Sequence, residues 1–303
     1  GDFDPASLNK PDSLAGILIR MIPLNPIKAA ADGDMLGIIF WSILFGFSIT
    51  RLSGKPQEFF TNFFAYGFKA MMKLTQGIIA LLPIGVFGLI TTAVANSGID
   101  VFKAVGKYII TIFLGLSFHF LVILPLVFFI FTKISPLKHW KAMASAFATA
   151  FSTSSSGATL PVTIDCIENN VGVSNRTTSF VLPLGATINM DGTALYECAG
   201  VLFISQALGI DLSISQQVVV VMTAFLASVG AAAVPSAGLV MIFIVLGAVG
   251  LGDHPGAGVI VGTMLAVDRP LDMYRTMVNV ASDSIGAVVV AKSEGESNLY
   301  PNN

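Results

Sequence analysis

The chain has 303 residues, of which 54% are hydrophobic and 11% charged, against about 25% charged in an ordinary soluble domain. A mean hydropathy of +0.81 places it among integral membrane proteins, and a net charge of -2 without any lysine or arginine cluster argues against a nucleic-acid partner. The two cysteines, Cys166 and Cys198, fit no metal or redox spacing, so apolar packing is favoured over a disulfide.

Residues 1–13 are polar and read as a loop. The chain starts at Gly1 without a charged, cleavable leader, so no signal peptide is read, and the missing initiator methionine raises the expectation of a fragment. Leu14 to Met21 is apolar, but Arg20, Pro23 and Pro26 stop it well short of the roughly 20 residues a spanning helix needs. Met35 to Thr50 is an uncharged short span ending at Arg51, and Arg51 to Pro56 is a turn by composition. A helix then starts near Glu58 and passes Lys69 and Lys73 into the uncharged segment Leu74 to Ile99, which crosses with tilt and kinks at Pro83. After a loop at Ser97 to Asp100, a span runs from about Tyr108 to Thr132. Its uniform apolarity suggests scaffold facing lipid or other subunits, with His119 in a buried, hydrogen-bonded role and not as a ligand. Arg51 and Lys55, like Lys133, Lys138 and Lys141, mark cytoplasmic loops by the positive-inside rule.

The second half is rich in Gly, Ala, Ser and Thr. Met143 to Ile164 is uncharged and carries Ser152 to Pro161 at its centre, where Gly and Pro interrupt the helical ladder and serines can satisfy the freed groups. It reads as a re-entrant helical hairpin with a serine-rich tip. Leu212 to Gly252 repeats the pattern around Ser228 to Gly238 and reads as a second hairpin. Each is followed by a helix with polar residues at its middle, the pattern that points to an inverted repeat with a binding site at its interface.

Two stretches carry the chemistry. Asp272, Arg275, Thr276, Asn279 and Asp283 lie on one helical stripe. Arg275 offers a planar fork for a carboxylate and Asp272 an acceptor for an ammonium, together outlining a zwitterion with an extra acid group. The plain alternative is an intrahelical Asp272 to Arg275 pair that neutralises itself. The second stretch is Asn189-Met190-Asp191-Gly192-Thr193, following Leu182 to Ile188. Asn189, Asp191, Asn279 and Asp283 supply hard oxygen donors suited to Na⁺ once joined by carbonyls of an unwound helix, whereas the absence of a His/Cys cluster disfavours a transition metal. A local Asx turn would account for Asp191-Gly192 alone. Glu197 stands in an otherwise uncharged run, where apolar surroundings favour the neutral acid; it is a proton-carrier candidate, with a solvated helix end as the alternative. No His accompanies Ser154 to Ser156 in the polar half and no hydrolase motif occurs, so an enzyme is disfavoured. Asn175-Arg176-Thr177 fits a glycosylation sequon, a pattern that often matches by chance.

Ser154 to Pro161, Leu182 to Thr193 with Tyr196-Glu197, Gly230 to Gly238, and Asp272 to Val280 resemble, in order, the motifs of the glutamate/aspartate transporter family, the dicarboxylate/amino acid:cation symporters. The resemblance runs from near residue 14 to residue 295. It implies an all-α integral membrane protein with a glutamate-transporter-like inverted-repeat fold, two re-entrant helical hairpins and broken transmembrane helices, but lacking the first three helices. Residues 1–57 would be partial scaffold, 58–137 scaffold and linking helices, 138–295 the transport core, and 296–303 a tail.

The implied function is symport of L-glutamate or L-aspartate with Na⁺, H⁺ or both, by an elevator movement in a homotrimer of the cell membrane, with no cofactor beyond the coupling ions. A C4-dicarboxylate symporter and a substrate-independent anion channel are the alternatives. By resemblance Arg275 binds the side-chain carboxylate with Thr193 and the backbone near Gly238, and Asp272 the amino group. Asn279 holds the α-carboxylate with Ser155 and Ser156, next to Thr276. One sodium site takes Asp283, Asn279 and the carbonyls of Gly185 and Asn189. A second lies between Thr187 and Ser228 to Ala231, and a third uses Asp191 and Asn189. Relatives carry a second arginine near the site, at positions that are Ser/Thr or Met273 here. The family's third helix completes the third sodium site, so the chain alone is not expected to transport.

Overall fold

In a chain this apolar, backbone polar groups have few outside partners, and the helix is the element that satisfies them within one segment. The structure, a computed structural model, describes residues 22–31, 35–79, 101–229 and 237–301, with single helical positions at 84, 87, 88, 91 and 95. All regular structure among the described residues is helical. The chain divides into two compact units, one ending at Val101 and the other running from Phe102 onward.

The first unit contains α1 (Pro26–Ala31), α2 (Met35–Thr50) and α3 (Lys55–Ile79). The expected span at Met35 to Thr50 is therefore a helix with those limits. The next helix begins at Lys55, a turn earlier than Glu58, because Gly54 at φ 66 makes the turn and Pro56 suits a first helical turn. Phe45 of α2 meets Phe60 and Phe64 of α3 edge-on, with ring centroids 5.8 and 5.9 Å apart. The expectations for Leu14 to Met21, for the kink at Pro83 and for the loop at Ser97 to Asp100 lie outside the described residues.

The second unit opens with α4 (Val101–Phe118), a π turn (His119–Ile123) and α5 (Leu124–Thr132) in one rod. Among the described residues it supplies the one helical stretch, Val105–Thr132, long and apolar enough to cross a membrane. Val105 is buried, and from Tyr108 on the buried positions are Tyr108, Ile112, Leu116, Phe120, Leu124, Phe128 and Thr132, a spacing of four. On a regular α-helix each such step drifts by about 40°, and six steps would turn the stripe off the core. The π turn absorbs part of that drift by fitting one more residue into a turn. Pro125, which has no N–H, follows directly and favours a break in the ladder at this place.

After α6 (Pro136–Ala142), the first hairpin consists of α7 (Ala144–Thr153) and α8 (Ser156–Asp165). Its turn is Ser154, at a left-handed φ of 52, and Ser155, whose side chain accepts from the Ala158 amide at 3.1 Å as an N-cap. The polar stretch read as a hairpin tip thus breaks the helix where expected. A π turn (Cys166–Val171) leads to α9 (Asn175–Ile188), broken from α10 (Asp191–Ala207) at Asn189 and Met190. α11 (Ile214–Val229) and α12 (Ala237–Ala248) form the second hairpin's arms; its tip, including Ala231, lies outside the described residues. A short α13 (Pro255–Leu265), not foreseen from the sequence, precedes α14 (Asp268–Ser293). α14 is buried on nearly every side and touches α5, α7, α8, α9 and α10. Both cysteines are free, with Cys166 buried.

Beyond α14 the chain reverses at Gly295, φ 87. Glu296 then accepts from the Ser174 amide (2.8 Å), the Ser174 hydroxyl (2.6 Å) and the Thr177 hydroxyl (2.7 Å). Partial burial opposes its ionised form, but these donors outweigh that and hold the carboxyl below its ordinary value. A carboxyl depressed on folding stabilises the fold above its ordinary pKa and loses that contribution as pH falls through the depressed value. The protection of the Ser174 amide against hydrogen exchange, relative to its intrinsic rate at each pH, should therefore fall on acidification below the ordinary carboxylate range, and Glu296→Gln should abolish that loss. In the core, Phe128 is fully buried and stacks on His139 with ring centroids 4.8 Å apart. Phe128→Ala should lower stability by about 3–5 kcal/mol, measured by denaturant unfolding in detergent.

Candidate substrate and cation site

The break between α9 and α10 and the middle of α14 meet face to face. At the break, Asn189 points its amide into α14: Nδ2 donates to Ser282 Oγ at 2.7 Å and to Asp283 Oδ1 at 2.8 Å. Asp191 Oδ1 accepts from the Gly192 amide at 2.9 Å and from Ser282 Oγ at 2.8 Å. The Gly192 amide also donates to Asn279 Oδ1 at 2.9 Å, while Asn279 Nδ2 donates to Thr193 Oγ1 at 3.0 Å. Asx-turn geometry at Asp191 is thus present, but it is one contact among several that join the two stretches. Five expected residues, Asn189, Asp191, Thr193, Asn279 and Asp283, form one connected network.

Two glycines permit this approach. A Cβ on Gly185 would lie 2.7 Å from Asp283 Oδ1, and one on Gly192 would lie 2.9 Å from Asn279 Oδ1 and 3.0 Å from the Arg275 carbonyl. Backbone oxygen atoms and carboxylates can converge here because no side chain stands between them. The donor set is carboxylate, amide and carbonyl oxygen, the chemistry that holds a hard cation such as Na⁺.

One turn back along α14 lies the charged pair. Arg275 Nη2 donates to Asp272 Oδ1, and the two side chains are 3% and 1% exposed, so the pair survives only by mutual neutralisation. The intrahelical pair considered from sequence is therefore formed, yet it sits in contact with the site. The Arg275 guanidinium lies 4.5 Å over the Tyr196 ring, a cation–π arrangement. Gly238, at the start of α12, faces it so closely that an added Cβ would meet the guanidinium and the Thr193 methyl. Arg275 Nη1 is buried without a hydrogen-bond partner. Thr276 is buried beside the pair. The hairpin-tip residue Ser156 is buried and Ser155 half-buried, on a hairpin whose two arms both contact α14.

Other expected residues are placed differently. Thr187 is exposed, its hydroxyl bonding back to the carbonyls of Pro183 and Leu184. Ser228 is buried and bonds back to Phe225 O at 2.8 Å. Their side chains satisfy their own helices. Glu197 is fully buried, which removes the solvated-helix-end alternative, and neither carboxyl oxygen has a hydrogen-bond partner.

Two contributing residues, Asp268 and Ser282, were not singled out from the sequence, and the partners of Tyr196 and His119 were not foreseen. Asp268 accepts from the Tyr196 hydroxyl at 2.7 Å, so this carboxylate and this ring together back the Arg275 guanidinium. Asp268 lies one turn before Asp272, and extending the polar stripe by that turn would have found it. Ser282 links Asn189 to Asp191 but looks ordinary in sequence. His119 was read as hydrogen-bonded without a named partner; its Nε2 lies 2.6 Å from Asp191 Oδ2, with the ring 21% exposed. A separation of 72 positions leaves no sequence signal for that contact.

The profile of the sodium:dicarboxylate symporter family matches residues 2–293. An excitatory amino acid transporter of Caenorhabditis elegans is 44% identical over 292 residues, covering 94% of this chain and 57% of the relative. Excitatory amino acid transporter 3 of Homo sapiens is 41% identical over 297 residues, 95% of this chain and 56% of the relative. Excitatory amino acid transporter 2 of Mus musculus is 42% identical over 269 residues, 87% and 46%. The chain thus spans about half the length of the curated relatives it matches. The close approach at the helix break yields a direct expectation. Gly185→Ala and Gly192→Ala should each push the helix break away from α14 and lower the stability of the purified protein by about 1–3 kcal/mol, measured by denaturant unfolding in detergent.

Proposed function

Because this chain belongs to the sodium:dicarboxylate symporter family, we propose that the full protein is a secondary active symporter that carries L-glutamate or L-aspartate across the cell membrane, driven by Na⁺, H⁺ or both. The observation that carries this reading is the buried Arg275–Asp272 pair beside Thr193 and Gly238. A free cation and a free anion at one buried place would each be costly; paired, they wait for a ligand that brings the complement of both. An acidic amino acid does so: its ammonium takes Asp272 and its side-chain carboxylate takes Arg275, whose fork binds it in bidentate fashion. Asn279, supported by the amides at the first hairpin tip around Ser155 and Ser156, receives the α-carboxylate. The transported zwitterion then replaces one intrahelical pair by two intermolecular ones.

Asp283, Asn189, Asp191 and Asn279, with the carbonyls near Gly185, bind the coupling cation. Cation and substrate share Asn279 and Thr193 through a direct hydrogen bond, so filling one side orients a donor for the other, which is positive coupling. The region between Thr187 and Ser228 to Ala231 takes a further Na⁺ through backbone carbonyls. Glu197, isolated in the core, exchanges a proton during the cycle. The protein works as a membrane-embedded homotrimer whose transport core slides as a body across the membrane.

Uptake of radiolabelled aspartate into proteoliposomes of the full protein tests this. Arg275→Ala should lower uptake of acidic amino acids by about thirtyfold or more; undiminished uptake refutes the assignment. Asp272→Asn should abolish amino acid uptake while sparing simple dicarboxylates. If succinate competes as well as aspartate in the unmutated protein, the site reads a C4 dicarboxylate and Asp272 does not serve an ammonium.

A further inference from the structure

The C-terminal segment 292–301 ties together four separate parts of the second unit. Lys292 Nζ donates to the Thr132 carbonyl, capping the end of the long α4–α5 rod with a positive charge. Glu296 caps the start of α9 through Ser174 and Thr177. The Tyr300 amide donates to the Val171 carbonyl at 2.6 Å, at the foot of α8. The Tyr300 hydroxyl lies 2.7 Å from Nδ1 of the fully buried His139, whose Nε2 lies 2.9 Å from Ser284 Oγ in α14.

The crossing is built into the sequence beneath it. Gly172 sits at φ 86, and a Cβ there would lie 2.9 Å from the Asn298 carbonyl, so the strap passes over a position that admits only glycine. Tyr300 itself is 4% exposed and holds φ 60, a backbone state that a bulky residue keeps only when its surroundings fix it. The Thr177 hydroxyl of the sequon is taken by Glu296, while Asn175 Nδ2 donates to Glu168 Oε1 at 2.8 Å.

We propose that residues 292–301 are a positioning strap that fixes the base of the α7–α8 hairpin to α9 and α14 and thereby sets the register of its Ser154–Ser156 tip against Asp272 and Arg275. Both arms adjoin strapped points, α7 through α6, which holds His139, and α8 through the π turn that ends at Val171. A hairpin fastened at both feet can move its tip only by bending its arms, and packed helical arms resist that. Releasing the strap leaves the tip attached but lets the whole hairpin shift along α14. The strap touches no substrate; it acts through the hairpin.

The effect on substrate rests on the transport reading, but the geometry does not. In the full protein, Glu296→Gln with Tyr300→Phe removes the two side-chain clasps and leaves the chain length intact. The affinity for aspartate should weaken by about two- to thirtyfold, the range open to a residue acting through packing, with a smaller change in maximal rate and partial rescue by Glu296→Asp. In parallel, spin labels at Ala148→Cys and Val290→Cys, in a background without Cys166 and Cys198, report the hairpin against α14. Their distance distribution should broaden in the strap variant without any ligand present. A loss of thermal stability with unchanged distances and unchanged affinity would overturn the proposal, as would no change in any readout. If the unmutated protein carries no acidic amino acid, the transport reading fails, and the ligand-free distances still decide the strap.

Discussion

The cost of burying charge governs this molecule. α14 carries Asp268, Asp272, Arg275 and Asp283 at 5% exposure or less, and an isolated ion in such surroundings is several kcal/mol less stable than in water. Each therefore needs a partner, and the partners come from the elements packed around α14. Arg275 takes Asp272 on its own helix and the Tyr196 ring from α10, Asp268 takes the Tyr196 hydroxyl, and Asp283 takes the Asn189 amide. The tertiary arrangement around α14 follows from these pairings as much as from apolar packing.

A continuous helix could not provide them. Its backbone groups are spent on its own ladder, and its side chains hold neighbouring helices about 8–10 Å apart. The break at Asn189 and Met190 frees backbone groups and turns the Asp191 and Gly192 end of α10 towards α14, while Gly185 and Gly192 remove the side chains that would keep the two apart. The broken helix, the glycines and the oxygen-rich network are thus one device. The same argument applies at Gly238, where the second hairpin reaches the Arg275 guanidinium only because it carries no Cβ.

The periphery of the unit follows a different rule. The α4–α5 rod keeps one narrow stripe inward and leaves Ile110, Leu114, Phe118, Leu121, Leu126 and Ile130 exposed, a composition suited to lipid. The polar contacts at its ends are made by residues distant in sequence, Lys292 on Thr132 and His139 on Tyr300 and Ser284. The end of the unit where the first hairpin begins is consequently held by side-chain hydrogen bonds, whereas the middle is held by ion pairing and amides.

The helical class, the helix end within Ser152 to Pro161, the break at Asn189 and the polar stripe of α14 are legible in the sequence alone. These follow from local rules: a serine-rich stretch favours a helix end, here at Ser154 and Ser155, although Gly157, Pro161 and Pro183 are carried inside helices, and a period of 3.6 places Asp272, Arg275, Asn279 and Asp283 on one face. The long-range contacts around the helix break come from tertiary packing alone. His119 reaches Asp191 across 72 positions and Ser282 bridges Asn189 and Asp191, contacts that no periodicity encodes. Glu197 was ambiguous because one charge in an apolar run can lie at a helix end or in a core, and packing around α10 settles it as buried. Residues 296–303 were read as a tail; among them Glu296 and Tyr300 are held by Ser174, Thr177, Val171 and His139, all more than 100 residues earlier.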